Sequence, residues 1–221
     1  KGMVISYDCR NYSYEFACAS AAVFGAAGVK VYLFSSLRPT PELSFAVREL
    51  KCAGGIMITA SHNPPEYNGY KVYDEDGCQL IPELADVVID KISKITDLFN
   101  IPVGNFEELK AQNLIKMIDK EIDDKYLEMV RTIPVQEVKK DNIKIVYTPL
   151  HGTGNIPVRR VLAELGFENV YIVKEQELPD GNFTTCPYPN PEIKEALKLG
   201  LEMCEEKKPD LLLATDPDAD R

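Results

Sequence analysis

Two loops in this chain carry residues whose types and spacing can do chemistry. The first reads Thr59-Ala60-Ser61-His62-Asn63-Pro64-Pro65-Glu66-Tyr67-Asn68-Gly69-Tyr70-Lys71 and follows a short apolar run. Ser61 is therefore expected at the carboxyl end of a strand, on a loop stiffened by two prolines, where a hydroxyl is positioned rather than merely solvated. A loop serine is ordinarily a turn former or cap, and context has to argue for more. Serine hydrolysis is disfavoured. Neighbouring side chains on an extended segment point apart, so His62 is poorly placed as the base for Ser61. There is no Gly-x-Ser-x-Gly elbow, and the other histidine, His151, lacks a marked group to orient it.

The second loop, Asp216-Pro217-Asp218-Ala219-Asp220-Arg221, follows the apolar run Leu211–Ala214. Carboxylates at alternate positions on a short loop can converge on one hard cation such as Mg²⁺ or Ca²⁺. A calcium loop of the EF-hand kind would need glycine at the sixth position, where Arg221 stands, so that reading fails. A solvated acidic turn is the plain alternative. The two loops fit one chemistry if Ser61 carries a phosphoryl group, whose oxygen would complete a metal site with Asp216, Asp218 and Asp220. No nucleotide is implied, because the phosphate-binding glycine patterns are absent. Gly152-Thr153-Gly154 fails for want of a third glycine, Pro157 standing there. That loop can let backbone amides approach an anion beside His151, or be a plain helix-entry turn.

The elements that must position these loops alternate. Strands are expected at Val4–Tyr7, Val31–Phe34, Gly55–Thr59 and Tyr70–Tyr73, with helices over Ser13–Val29, Pro41–Leu50, Pro82–Thr96 and Ile122–Arg131. A second unit follows: strand Ile143–Tyr147, helix Ile156–Leu165, strand Val170–Val173, helix Glu192–Glu206 and strand Leu211–Ala214. Twice β-α-β-α-β predicts an α/β protein of two consecutive three-layer domains with mainly parallel sheets. In such sheets the chemistry gathers where strands end at their carboxyl termini.

Composition agrees with a folded chain: 221 residues, 45% apolar and 27% charged. The net charge of −10 and the lack of a basic stripe argue against nucleic acid. No apolar run approaches the roughly 20 residues a bilayer requires. The six scattered cysteines, without a Cys-x-x-Cys pair, are expected as reduced and mostly buried thiols in a cytoplasmic setting.

Paired in one chain, the Thr-Ala-Ser-His-Asn-Pro and Asp-x-Asp-x-Asp-Arg loops resemble those of the α-D-phosphohexomutase family. Ala60–Tyr73, Arg38-Pro39-Thr40-Pro41 and Leu150-His151-Gly152-Thr153-Gly154 resemble its phosphoglucomutase branch, which also contains phosphopentomutases. The likeness covers nearly the whole chain. It implies domain I over residues 1–133 without its amino-terminal part, a linker over 134–142, and a truncated domain II over 143–221. It implies that Ser61 is the phosphoserine and, with Asp216, Asp218 and Asp220, a ligand of Mg²⁺. Lys71 and His62 are implied near the phosphoserine, assisting proton transfer or neutralising charge. Arg221, Arg10 and His151 are carried over as phosphate or substrate contacts. Pro217 and Ala219 replace two glycines of the commonest family loop, a substitution typical of this branch and expected to stiffen the turn without removing a ligand.

The implied activity interconverts glucose 1-phosphate and glucose 6-phosphate through glucose 1,6-bisphosphate, with a phosphosugar as the substrate and no nucleic acid or membrane as partner. Phosphomannomutase and phosphopentomutase share this chemistry and are not separated by these residues. Family members carry four domains, so a metal-binding piece inactive by itself is the non-enzymatic alternative.

Overall fold

Strands and helices alternate as the apolar pattern requires. The structure, a computed structural model, describes residues 1–136 and 139–221. The first unit runs β1 (Met3–Tyr7), α1 (Ser13–Ala26), β2 (Val31–Phe34), α2 (Thr40–Glu49), β3 (Gly54–Ile58), β4 (Tyr70–Tyr73), α3 (Pro82–Ser93), α4 (Phe106–Ala111), β5 (Ile115–Ile118) and α5 (Lys120–Val130). Its sheet has the order β4-β3-β1-β2-β5. Only β4 is antiparallel to its neighbour.

Alternate strand residues face opposite layers. Ile5, Leu33, Ile56 and Ile58 are buried with Ala17 and Ala21 of α1 and Leu109 of α4. Val4, Phe34 and Met57 are buried on the other face with Leu43, Ala46 and Val47 of α2 and Ile122 of α5. Burial on both faces is why these strands read as continuous apolar runs. The sequence reading missed α4 and β5. The helix has six residues with only Leu109 buried, and the strand is an edge strand of four, paired to β2 alone. Both are too short for a periodic signal.

The second unit runs β6 (Lys144–Thr148), α6 (Asn155–Glu164), β7 (Asn169–Ile172), α7 (Lys198–Lys207) and β8 (Leu211–Ala214). Its three parallel strands have the order β7-β6-β8. The helix expected from Glu192 begins only at Lys198. Before it, Asn190–Leu197 makes successive short turns that bury Ala196 with Leu150, Phe183 and Cys186, against Cys9 of the first unit. Burial at the junction outweighs helical spacing there. Of the expected linker, residues 134–136 and 139–142 hold no helix or strand, while 137–138 lie outside the described residues.

The units touch through α5 and α6, where Arg160 Nη2 donates to Asp124 Oδ1 at 2.6 Å, and through Asn11 to Asn182 at 2.9 Å. Between them lies a cavity of about 280 Å³ lined in part by Arg38, Glu42, Asp123, Thr153 and Arg160. Among the described residues no helix is long and apolar enough to cross a membrane. The cysteines are free thiols, and Cys78 is exposed, so the expectation of burial does not extend to it.

Candidate functional site

The Ser61 loop is built on two adjacent strand ends. β1 and β3 pair through Tyr7 and Ile58, which brings Asp8 and Thr59 side by side just beyond the sheet. Asp8 is buried and accepts from Thr59 Oγ1 at 2.7 Å, Ser13 Oγ at 2.9 Å and Arg10 N at 3.0 Å. Thr59 Oγ1 in turn accepts from Ser61 N at 2.8 Å. Ser61 has φ +53°, a left-handed conformation that costs a side-chain-bearing residue roughly 1–2 kcal/mol.

Arg10 helps to hold that conformation. Its Nη2 donates to the carbonyls of Ser61 and Asn63 at 2.6 and 2.5 Å, and its Nη1 to those of Pro64 and Tyr67 at 2.8 and 2.9 Å. Its Nε lies 3.2 Å from Asp8 Oδ2 without a hydrogen-bonding angle, and the guanidinium sits 5.0 Å from the Phe183 ring of the second unit. Expected as a phosphate contact, Arg10 is instead 3% exposed and committed beneath the loop.

The acidic loop leaves β8. Asp216 and Asp218 are fully buried and Asp220 is exposed. Gly152 lets the loop seat against the second unit, since a Cβ there would meet Pro217 Cα at 2.6 Å and Pro217 O at 2.7 Å. Thr153 N donates to Pro217 O at 2.9 Å. The glycine thus admits a neighbouring backbone rather than an anion. His151 is also corrected: it is buried, with Nδ1 2.8 Å from Leu178 O and Nε2 2.8 Å from Thr185 Oγ1, so neither ring nitrogen is left for a phosphate.

The two loops meet. Ser61 Oγ donates to Asp216 Oδ2 at 2.8 Å. Lys71 Nζ donates to Asp218 Oδ2 at 2.8 Å and to Asp220 Oδ2 at 3.1 Å. Thr40, at the start of α2, donates from Oγ1 to Asp218 Oδ2 at 2.7 Å and from its backbone N to Asp218 O at 2.8 Å. Sequence reasoning missed Thr40 as a site residue. The only signal was its place in Arg38-Pro39-Thr40-Pro41.

His62 Nδ1 lies 3.3 Å from Ser61 Oγ, against the expectation that the two would diverge. That argument assumed an extended backbone, and the left-handed turn at Ser61 removes it. The single hydroxyl proton is given to Asp216, so the imidazole can meet Oγ only as an N–H donor. Arg221 joins the loop through its backbone N, 3.2 Å from Asp216 Oδ1. Its guanidinium is exposed and 3.4 Å from Glu192 Oε1.

Electrostatically the trio is short of positive charge. Burial, reinforced by the Asp218 carboxylate and opposed by the Ser61 hydrogen bond, pushes Asp216 up to about 7. Burial works against the charge on Lys71, but the attraction and hydrogen bonding of Asp218 and Asp220 outweigh it and raise its pKa. One oxygen from each of Asp216, Asp218 and Asp220 lies within 4.8 Å of the others. Asp218 Oδ1 is buried with no hydrogen-bond partner among the described residues. A buried acceptor without a donor is costly, and clustered carboxylate oxygens are the donor set of a hard divalent cation. The residues present therefore fit such an ion.

Fold and site together define a class: an α/β protein of two sheet units whose facing strand ends set a loop serine against a trio of aspartates. Residues 1–98 match the family model described as Phosphoglucomutase/phosphomannomutase, alpha/beta/alpha domain I, and residues 124–221 match the corresponding domain II. A Staphylococcus saprophyticus phosphoglucomutase is 40% identical over 219 residues, which is 99% of this chain and 40% of the relative. A Staphylococcus aureus phosphoglucomutase is 39% identical over 221 residues, 99% of this chain and 39% of the relative.

Among solved structures, one from Thermus thermophilus, described as a candidate phosphomannomutase, superposes with a TM-score of 0.81 at 29% identity, covering 99% of this chain and 47% of its own. A Burkholderia thailandensis phosphoglucomutase/phosphomannomutase family protein, at 24% identity and a TM-score of 0.77, covers 99% of this chain and 44% of its own and shares the fold. The chain belongs to the phosphoglucomutase/phosphomannomutase family and carries its first two α/β/α domains. It spans about 40% of the length of the curated relatives it matches.

Proposed function

We propose that this chain supplies the phosphoserine and metal loops of a phosphoglucomutase, interconverting glucose 1-phosphate and glucose 6-phosphate by way of glucose 1,6-bisphosphate. The observation that carries the reading is the 2.8 Å contact of Ser61 Oγ with Asp216 Oδ2 across the two units. In the forward step a sugar hydroxyl oxygen bonds to the phosphorus on Ser61 and the Oγ–P bond breaks, giving the bisphosphate. In the return step Ser61 Oγ bonds to the other phosphorus, that sugar O–P bond breaks and the freed sugar oxygen takes up a proton, so no phosphate is consumed.

Mg²⁺ held by Asp216, Asp218, Asp220 and an oxygen of the Ser61 phosphate would stabilise charge on the phosphoryl oxygens during transfer. Lys71, charged between two carboxylates, neutralises charge rather than accepting a proton. That leaves His62 to move the proton of the attacking hydroxyl. The exposed pair of Arg221 with Glu192 is worth little, so its guanidinium is free to turn to a phosphate.

We assign the domains as 1–133 and 143–221, joined by 134–142, and the setting as cytoplasmic, in keeping with the free thiols. The names of the relatives near 40% identity favour glucose over mannose or ribose as the sugar. In the full-length protein, incubation with glucose 1,6-bisphosphate, followed by intact mass and peptide mapping, should add one phosphate to the peptide bearing Ser61 in the wild type and none in Ser61→Ala. No phosphate on Ser61 would overturn the reading. Parallel assays with mannose 1-phosphate and ribose 1-phosphate decide the sugar.

A further inference from the structure

We propose that Thr40 is a positioning residue that decides which oxygen of Asp218 is offered to a cation; the inference rests on the metal reading above. A carboxylate oxygen has two lone-pair sites, and on Asp218 Oδ2 both are taken, by Thr40 Oγ1 at 2.7 Å and Lys71 Nζ at 2.8 Å. The other oxygen, Oδ1, is buried and has no hydrogen-bond partner among the described residues. The carboxylate is therefore held by one edge with its other edge open.

The two donors are not equivalent. Lys71 ends a flexible four-carbon stem and divides its ammonium between Asp218 and Asp220, the latter at 3.1 Å. Thr40 is buried and lies between Pro39 and Pro41, whose rings fix the backbone angle φ on either side. A β-branched side chain adds a stiff χ1. The hydroxyl is thus the rigid member of the pair. Without it, only Lys71 would hold Oδ2, and the carboxylate could turn with the ammonium toward Asp220.

The backbone separates this role from docking. Thr40 N donates to Asp218 O at 2.8 Å, a bond that any non-proline residue at the position keeps. Removing the hydroxyl should therefore spare the seat of the loop and disturb only the aim of the carboxylate. Partners that orient metal ligands typically contribute about 10–100-fold in affinity.

The test is a titration of the 221-residue chain with Mn²⁺ alone, free ion being read by electron paramagnetic resonance, with thermal melts in EDTA and in Mn²⁺. Thr40→Val is expected to weaken Mn²⁺ binding by about 10–100-fold and to shrink the Mn²⁺-induced rise in Tm. Thr40→Ser, which restores the hydroxyl, should bind within about threefold of wild type, a rescue that a purely structural role would not require. If Thr40→Val does not fold, Thr40→Ala takes its place against Thr40→Ser. Wild type that binds Mn²⁺ while Thr40→Val binds it equally well overturns the role of Thr40 alone. Wild type that takes up no Mn²⁺ overturns the metal reading and this inference with it.

Discussion

Ser61 and Ala219 both sit in left-handed backbone, at φ +53° and +52°, and neither is glycine. For Ala219 nothing comparable to the Arg10 cradle offsets the cost, so the turn it was expected to stiffen is strained instead. Ala219→Gly should raise stability by about 1 kcal/mol, the relief of a side chain at positive φ less the extra freedom of an unfolded glycine. An unchanged or lower urea midpoint would contradict this. Arg10 gives the opposite expectation. Lysine keeps the charge but cannot reach four carbonyls with a rigid fork, so Arg10→Lys should lower stability by about 3 kcal/mol. Limited proteolysis should then cut first within Ser61–Tyr67. The two loops could be picked out because a serine and alternating aspartates were expected at strand ends. Residue types alone left a plain turn and a solvated acidic loop open, and it was the resemblance of the paired loops that singled them out. The partners of these residues were not legible: the burial of Arg10, the closed ring of His151 and the nearness of His62 to Ser61 all depend on backbone turns and tertiary contacts that composition does not encode.

At the scale of elements, the site is assembled from strand ends: β1 and β3 for the serine, β8 for the acids, and the first turn of α2 for Thr40. The parallel alternation that predicts such ends was readable from doubly buried strands such as β1 and β3. It was weaker for β5, where Lys116 interrupts a four-residue edge strand, and misleading for Glu192–Leu197, whose apolar residues serve the junction between units. One glycine links element packing to the site. In Gly152→Ala the new Cβ would run into the backbone of Pro217, 2.6 Å away, and neither side can yield without moving the acidic loop. A loss of about 1–3 kcal/mol is expected from overpacking of this kind. Urea unfolding measures it, and a wild-type midpoint would show that the loop yields freely.

At the scale of the molecule, the contact between the units contains a buried acid. Glu42 is 1% exposed and faces Asp123, Arg38 and Arg160 beside the cavity. Burial, then the hydrogen bond and charge of Asp123, push it up to about 9, with Arg38 opposing. The folded chain keeps this proton above the ordinary carboxylate value of 4.5, where the unfolded chain has released it. The stability Glu42 contributes is therefore complete below that value and is lost as pH rises toward 9. Glu42→Gln removes the titration, so the variant should gain on wild type between about pH 5 and pH 8. Parallel urea midpoints across that window would rule this out.

The anchorage of the Ser61 loop by one buried guanidinium also sets a limit on motion. If phosphate passes through this oxygen twice in a cycle, the serine has no swing of its own to bring it from one end of a sugar to the other. On the proposed reading it is then the bisphosphorylated sugar that would have to turn over above a fixed oxygen.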